Sequence, residues 1–540
     1  MESMRSDKTN QAGSFVLILV AMVLGVMIGL MTAGNMSRHR ASGFKEKVGE
    51  VGSLIEQEYV DELSTDTLGE RMLGVMLSEL DPHSAYFSAR EAERHAEMMR
   101  GTFEGVGIVL HYEGDSCYVG QVMPGGPSAG LGILPGDKIL TVGADTISGK
   151  GLSNDTVVAK LRGPRGTRVR VAVERFKPAG GGWSTDTAVF DIKRGVVEHH
   201  SLDCATMLDD TTGYIQLTSF AATSYDEFHE ALRRLKREGM RHLLFDLRGN
   251  TGGSLASAVG IAGELLPKGS PIVYTQGAHS RRHDVKARSG GLFTTGRVTV
   301  LVDENSASAS EVVAGALQDN DRAAIVGRRT FGKGLVQTEF ELRDGSSVLL
   351  TTARYYTPSG RCIQRSYRQG TGAYYREYLE QLMDEAYADS MAVHIADSTP
   401  YYTRSGRVVY GGGGIVPDRL LSYRKDRSFV YYNALASKRI IDKVAFSNVR
   451  RHRTEWLQRY ADGEAFVSRF AVGSAMMDEL VREGEAAGVA CDRESLAAQD
   501  RLFRNMLKAH IAFALYGGEA YRKACLQTDE DISQLKTMKP

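Results

Sequence analysis

Cysteine is scarce in this sequence, and the five present, Cys117, Cys204, Cys362, Cys491 and Cys525, are dispersed and odd in number. That pattern excludes a disulfide framework and any zinc site built on cysteine spacing. One cross-link, Cys491 with Cys525, stays open. An excess of charge is also missing: Lys+Arg and Asp+Glu each number 66, which argues against a nucleic-acid-binding surface. Proline is sparse at 12 residues, while 59 glycines cluster in short motifs, as turns require where backbone must approach something closely. Hydrophobic residues at 42% and charged residues at 24% are ordinary for a globular protein. A length of 540 residues exceeds one core, so several domains are expected.

The run "FVLILVAMVLGVMIGLMTAG", Phe15 to Gly34, holds twenty residues without a charge, enough to cross a bilayer as a helix. It is longer than a usual signal-peptide core, and the "TAGNMS" after it is a poor cleavage site. The sequence therefore predicts a short tail over 1–14 and an uncleaved transmembrane anchor over 15–34. Basic residues lie on both sides, Arg5 and Lys8 before and Arg38, Arg40, Lys45 and Lys47 after, so their count does not favour an inside amino terminus. Ala21, Gly25, Gly29 and Ala33 share one helix face, on which two anchors could pair in a homo-oligomer.

Residues 35–98 read as a helical segment, with Leu68, Met72, Leu73, Met76, Leu77 and Leu80 at helical spacing. Ser88 and Glu91 form a capping-box pattern for the next helix. From Gly101 the chain becomes β-rich and punctuated, and "PAGGGW" reads as a spacer at its end, giving a small domain over 99–186. An α/β pattern follows over 187–425. "GYIQLTSF", "HLLFDLR" and "RVTVLVDE" read as strands, and "SYDEFHEALRRLKREGM" as a helix. Residues 426–540 are charged and read as a helical extension, with interaction or dimerisation as the expected role.

Two regions carry chemistry. In "GVGIVLHY", Gly105 and Gly107 precede a strand, so the amides of Val106, Gly107 and Ile108 can converge on a carboxylate while the strand accepts an extended peptide. In "DENSASASEVVAGAL", Asp303 to Leu317, three serines open a helix after a strand, with no histidine within twenty residues. A helix amino terminus offers free amides to a developing oxyanion, but Ser308 and Glu311 also fit a plain capping box. The spacing alone does not choose among Ser306, Ser308 and Ser310. In "GRRTFGKGLVQ", Lys333 lies between two glycines. A buried lysine is held neutral and can serve as general base, and Gln337 could orient its amine without adding charge. In "FDLRGNTGGSL", Asp246 ends a strand, and Gly252 or Gly253 could present an amide beside that of Ala309. A phosphate-loop reading fails for want of the Gly-Lys-Ser/Thr ending. His83, His199, His200, His242, His279 and His283 are scattered, and none sits in a motif suited to a serine base, so they read as structural or solvated. The adjacent pair His199 and His200 would point to opposite faces of a strand, so no metal site is expected.

Together these segments resemble the C-terminal processing peptidases, the tail-specific serine proteases, across roughly residues 45–420. The resemblance rests on "DPHSAYF", "GVGIVLHY" with "PSAGLGILPGDKILTVG", "DLRGNTGG", "NSASASEVVAGALQDN", "TFGKGLVQ", "TTARYYTPSGRCIQ" and "GGGGIVPD". It implies a PDZ domain inserted before a crotonase-like peptidase core, in a multidomain α/β protein. It also implies a dyad of serine and lysine supported by glutamine, with the nucleophile twenty-five residues before the lysine. That spacing selects Ser308 with Lys333 and Gln337. Thr251 stands where the family usually has proline, which leaves the choice between Gly252 and Gly253 open. The expected protein is a serine endopeptidase that needs no cofactor or metal and takes substrates with free carboxy-terminal tails. With the anchor, it would sit in a bacterial inner membrane, single-pass, with its catalytic part in the periplasm. A PDZ scaffold with a dead or gated peptidase core, and an esterase using the same dyad, are the alternatives.

Overall fold

The computed structural model describes residues 43–62, 64–179, 182–383, 397–421 and 429–537. The expected anchor at 15–34 lies outside them. Among the described residues no helix is long and apolar enough to cross a membrane. The chain divides at Val75 into two compact units. In the first, the helix Phe44–Glu58 buries none of its residues. In the second, the helix Ala89–Arg100 starts with the expected box, Glu91 accepting from both the N–H and the hydroxyl of Ser88.

The β-rich segment forms a six-stranded sheet, with the strands Ile108–Glu113, Ser116–Val122, Lys138–Val142, Arg168–Ala179 and Gly182–Lys193 side by side in that order. The run "PAGGGW" is therefore not a spacer. It joins two strands paired from Arg168 with Lys193 to Ala179 with Gly182, and the sheet continues to Lys193, past the expected boundary at 186. Among the described residues Ile108–Glu113 is an edge strand, bonded on one side only. Period-2 alternation gives it two faces. Ile108, Leu110 and Tyr112 pack on the small core that also holds Val157 and Leu161 of the helix Asn154–Leu161.

The α/β segment forms a second six-stranded sheet. Leu202–Met207 pairs antiparallel with Thr212–Leu217. His242–Asp246, Arg297–Val302, Ala324–Gly327 and Arg419–Leu420 then follow in parallel. Helices Ser224–Arg237, Leu255–Leu265 and Ala309–Asp319 make the crossovers that parallel strands require. Alternation again decides the packing. Ile215, Leu243, Phe245, Val298, Val300 and Ile325 face these helices, whereas Tyr214, Leu244, Leu301 and Val326 face the other way, onto Ile532 from the chain's last helix. A third sheet pairs Ser347–Tyr356 with Leu335–Glu341, Pro271–Gln276 and Ala85–Phe87.

The extension is helical, as expected, from Phe429–Ser437 to Glu530–Thr537, around its own apolar core. It docks on its own chain. Phe446 packs on His111 with ring centroids 3.8 Å apart, Arg453 pairs with Asp137 at 2.8 Å, and Arg450 pairs with Glu113 at 3.1 Å while lying over Tyr118.

Candidate active site

Parallel sheets place their loops for chemistry at the carboxyl ends of the strands. Two such ends meet here. The strand His242–Asp246 runs into residues 247–253, and the neighbouring strand Arg297–Val302 runs into the serine corner. The two loops are sewn together. Asn250 O accepts from Ala307 N–H at 3.0 Å and from Ser310 Oγ at 2.8 Å, and Ser306 Oγ donates to Leu247 O at 2.8 Å. Ser306 and Ser310 are fully buried and committed to these bonds. Ser308 is half-buried and differs from both.

Ser308 is the residue before the helix Ala309–Asp319 and has φ 54° and ψ −111°, a conformation that costs a side-chain-bearing residue about 1–3 kcal/mol. Its surroundings hold it there. Its N–H donates to Glu311 Oε2 at 2.8 Å, and its carbonyl accepts from Tyr355 O–H at 3.1 Å and Glu311 N–H at 2.9 Å. Gly252 packs against it. A Cβ at Gly252 would lie 2.8 Å from both Ala307 O and Ser308 Cβ, with φ +105°. Gly252→Ala is therefore expected to displace the serine and cut turnover about 100-fold. Steady-state cleavage checks this, and wild-type turnover would show that the loop can retreat. The N–H of Gly252 is taken by Asn250 Oδ1 at 2.9 Å. Among the described hydrogen bonds none uses the N–H of Gly253 or of Ala309.

Glu311 reaches further than a cap. It is fully buried and accepts from Thr330 O–H at 2.6 Å, Gly332 N–H at 2.8 Å and Lys333 N–H at 2.9 Å, besides Ser308 N–H. The backbone nitrogens of Ser308 and Lys333 thus converge on one oxygen. Burial raises its carboxyl above the usual range against the pull of these bonds. Both glycines beside Lys333 are needed by close approach: a Cβ at Gly332 would meet Gly413 and Gly414 backbone at 3.0 Å, and one at Gly334 would meet Gln364 N at 2.9 Å.

Lys333 Nζ donates to Gln337 Oε1 at 2.7 Å, and Gln337 Nε2 donates to the carbonyl of His83. The second bond fixes which end of the amide faces the lysine. Burial lowers the Lys333 pKa, with Asp81 and Glu311 pulling the other way. His83 is pushed down to about 4, first by burial and then by Lys333, so it is neutral near pH 7. Among the described residues no hydrogen bond joins Ser308 Oγ to Lys333 Nζ.

Sequence reasoning brought Ser308, Lys333, Gln337, Ala309, Gly252 and Gly253 to one place, and the structure groups them. It missed Glu311 as the tie between the two loops, because the spacing from Ser308 to Glu311 was read as a cap alone. It also missed the segment around His83. "DPHSAYF" supported the resemblance, but nothing in its spacing said that its backbone would hold Gln337. Asp81 anchors that turn, accepting from His83 N–H and Ser84 N–H, each at 2.8 Å. In the small β-domain, Val106 O accepts from Ser128 N–H and O–H, Gly107 O accepts from Met123 N–H, and no described hydrogen bond uses the N–H of Val106 or Gly107. Ile108 opens the edge strand beside them.

Among the described residues no group of acidic, histidine or cysteine side chains could hold a metal ion. Cys491 and Cys525 are not joined to each other by a disulfide.

Comparison with known proteins identifies the domains. Residues 211–370 match peptidase family S41, residues 96–174 match the PDZ domain, and residues 431–517 match a family of unknown function. A carboxy-terminal-processing protease of Bartonella bacilliformis is 31% identical over 363 residues, covering 65% of this chain and 80% of the relative. The carboxy-terminal processing protease CtpA of Bacillus subtilis is 30% identical over 358 residues, covering 65% of this chain and 74% of the relative. Among solved structures, a photosystem II D1 C-terminal processing protease is 30% identical with a TM-score of 0.32, covering 57% of this chain and 81% of that one. A PDZ domain ahead of an S41 core, and identity sustained over most of the length of such relatives, mean that the chain belongs to the carboxy-terminal processing proteases, a family of serine peptidases.

Proposed function

We propose that this serine protease cuts by a Ser308–Lys333 dyad after its PDZ domain has captured a substrate's carboxy-terminal tail. The observation that carries the reading is the convergence of Ser308 and Lys333 on buried Glu311, with the lysine amine desolvated and held by Gln337. Neutral Lys333 takes the proton of Ser308 as Oγ bonds to the scissile carbonyl carbon. The amides of Ala309 and Gly253 hold the resulting oxyanion; Gly252, whose N–H is spent on Asn250, gives the close approach instead. Lys333 returns the proton to the leaving amine as the C–N bond breaks, and water hydrolyses the acyl-enzyme.

The tail's carboxylate would bind the amides of Val106, Gly107 and Ile108, and its backbone would add to the edge strand Ile108–Glu113. The absence of a described bond between Ser308 Oγ and Lys333 Nζ favours a resting state that completes the dyad when substrate binds. The parallel sheet with its crossover helices supports a crotonase-like core over 187–425. The charge-free run 15–34 supports a single-pass anchor in a bacterial inner membrane, with the peptidase in the periplasm and room for the anchors to pair.

Digestion of a test protein with an apolar tail tests the reading. Cleavage should vanish in Ser308→Ala and slow about tenfold when the tail's terminal carboxylate is made an amide. Equal cleavage by the Ser308→Ala chain would remove Ser308 as nucleophile.

A further inference from the structure

A cluster of buried ion pairs joins the end of the chain to the loop 247–253. Arg248 Nε and Nη2 donate to Asp246, Nη2 also to Asp529 at 2.8 Å, and Nη1 to Asp531 at 2.7 Å. Arg328 bridges Glu304 and Asp531, and Arg522 reaches both Asp246 and Asp529. Asp246 is fully buried, and the side chains of Arg248, Asp529 and Asp531 are 12%, 9% and 15% exposed.

The core needs none of the tail's acids to balance its own charge. Arg248 faces Asp246, and Arg328 faces Glu304, inside the peptidase domain. What Asp529 and Asp531 add is direction. They take the two terminal nitrogens of Arg248 in a planar fork, which fixes the guanidinium more strictly than one carboxylate can. Arg248 is next to Leu247, whose carbonyl takes Ser306 Oγ, and two residues before Asn250, which binds Ala307, Ser310 and Gly252. The loop is therefore pinned by the serine corner on one side and by the end of the chain on the other.

We propose that Asp529 and Asp531 are positioning residues for the loop 248–253, acting through Arg248, so that the carboxy-terminal extension sets the amide geometry opposite Ser308. This rests on the reading of Gly253 and Ala309 as oxyanion donors. A donor that strays from the oxyanion loses effect steeply, so the acids act on turnover more than on substrate binding.

The full chain carrying Asp529→Asn and Asp531→Asn together tests the proposal. Asparagine at 529 keeps the oxygen that accepts from Ile532 N–H, so the last helix can still start. Cleavage of β-casein and hydrogen exchange of the backbone amides are measured on the same protein. The expected result is kcat about tenfold lower with KM unchanged, and faster exchange in 248–253 with wild-type exchange across Arg297–Val302 and the helices 440–516. Asp531→Glu alone should restore most of the turnover. Wild-type kcat with unchanged loop exchange overturns the proposal. Faster exchange throughout the extension also overturns it, since the acids would then hold the bundle rather than aim the loop. If the Ser308→Ala chain still cleaves, the nucleophile reading fails, while loop exchange still reports on Arg248 independently of activity.

Discussion

Lys333→Met will lower turnover by about 10²–10⁴-fold in a protein that stays folded. Methionine fills a similar volume in the half-buried site but offers no lone pair basic enough to take the proton of Ser308. Its loss also leaves Gln337 Oε1 without its 2.7 Å partner, though Gln337 stays bound through Nε2 to His83. The pH profile of the wild type separates a base from a mere contact. Burial brings Lys333 below the ordinary value of 10.5, and only the neutral amine can accept a proton. kcat/KM should therefore climb about tenfold per pH unit below the depressed pKa and level off above it. The same shift makes the unfolded chain the better proton binder between the folded and unfolded pKa values. The stability contributed by neutral Lys333 thus rises with pH across that window and is lost as pH falls through it. A flat rate profile, or a Lys333→Met protein with full turnover, removes lysine from the role.

Glu311→Gln should be nearly as damaging, for a different reason. The side chain keeps its shape, but one acceptor becomes a donor. Whichever end the amide nitrogen takes, it faces two donors: Ser308 N–H and Lys333 N–H, or Thr330 O–H and Gly332 N–H. Two buried donors lose their partner at about 1–3 kcal/mol each, so unfolding free energy should drop by about 2–6 kcal/mol. Ser308 also holds a strained backbone that its neighbours must enforce, so turnover should fall about 100-fold in the protein that remains folded. Urea unfolding and cleavage assays on the same sample check both effects. A variant with wild-type stability would mean that these four donors do not depend on an ionised Glu311.

Much of the site was legible because it is local. "SASASE" after a hydrophobic strand fixes a strand-turn-helix corner, since alternation and helix periodicity change there. Gly-Lys-Gly followed by Gln337 fixes a lysine on a tight loop next to a strand. The edge strand after "GVG" is equally local. What stayed hidden is long-range: Gln337 takes its second bond from His83, 254 positions away, and Arg248 takes Asp529 and Asp531 from 281 and 283 positions away. No spacing rule connects such residues. The spacer reading of "PAGGGW" failed on similar grounds. Glycines that loosen a linker also suit a hairpin, and only the pairing of Arg168–Ala179 with Gly182–Lys193 distinguishes the two.

By itself the sequence determined which residue types could do chemistry here: one serine of three, a lysine flanked by glycines, and a loop of small residues to face them. The tertiary structure decided which of them are free to act. Ser306 and Ser310 are spent on backbone carbonyls, and the N–H of Gly252 is spent on Asn250. The physical reason is satisfaction of buried polar groups. A residue's chemistry is written in its side chain, but whether its hydrogen bonds are already taken depends on partners that only the folded chain brings within reach.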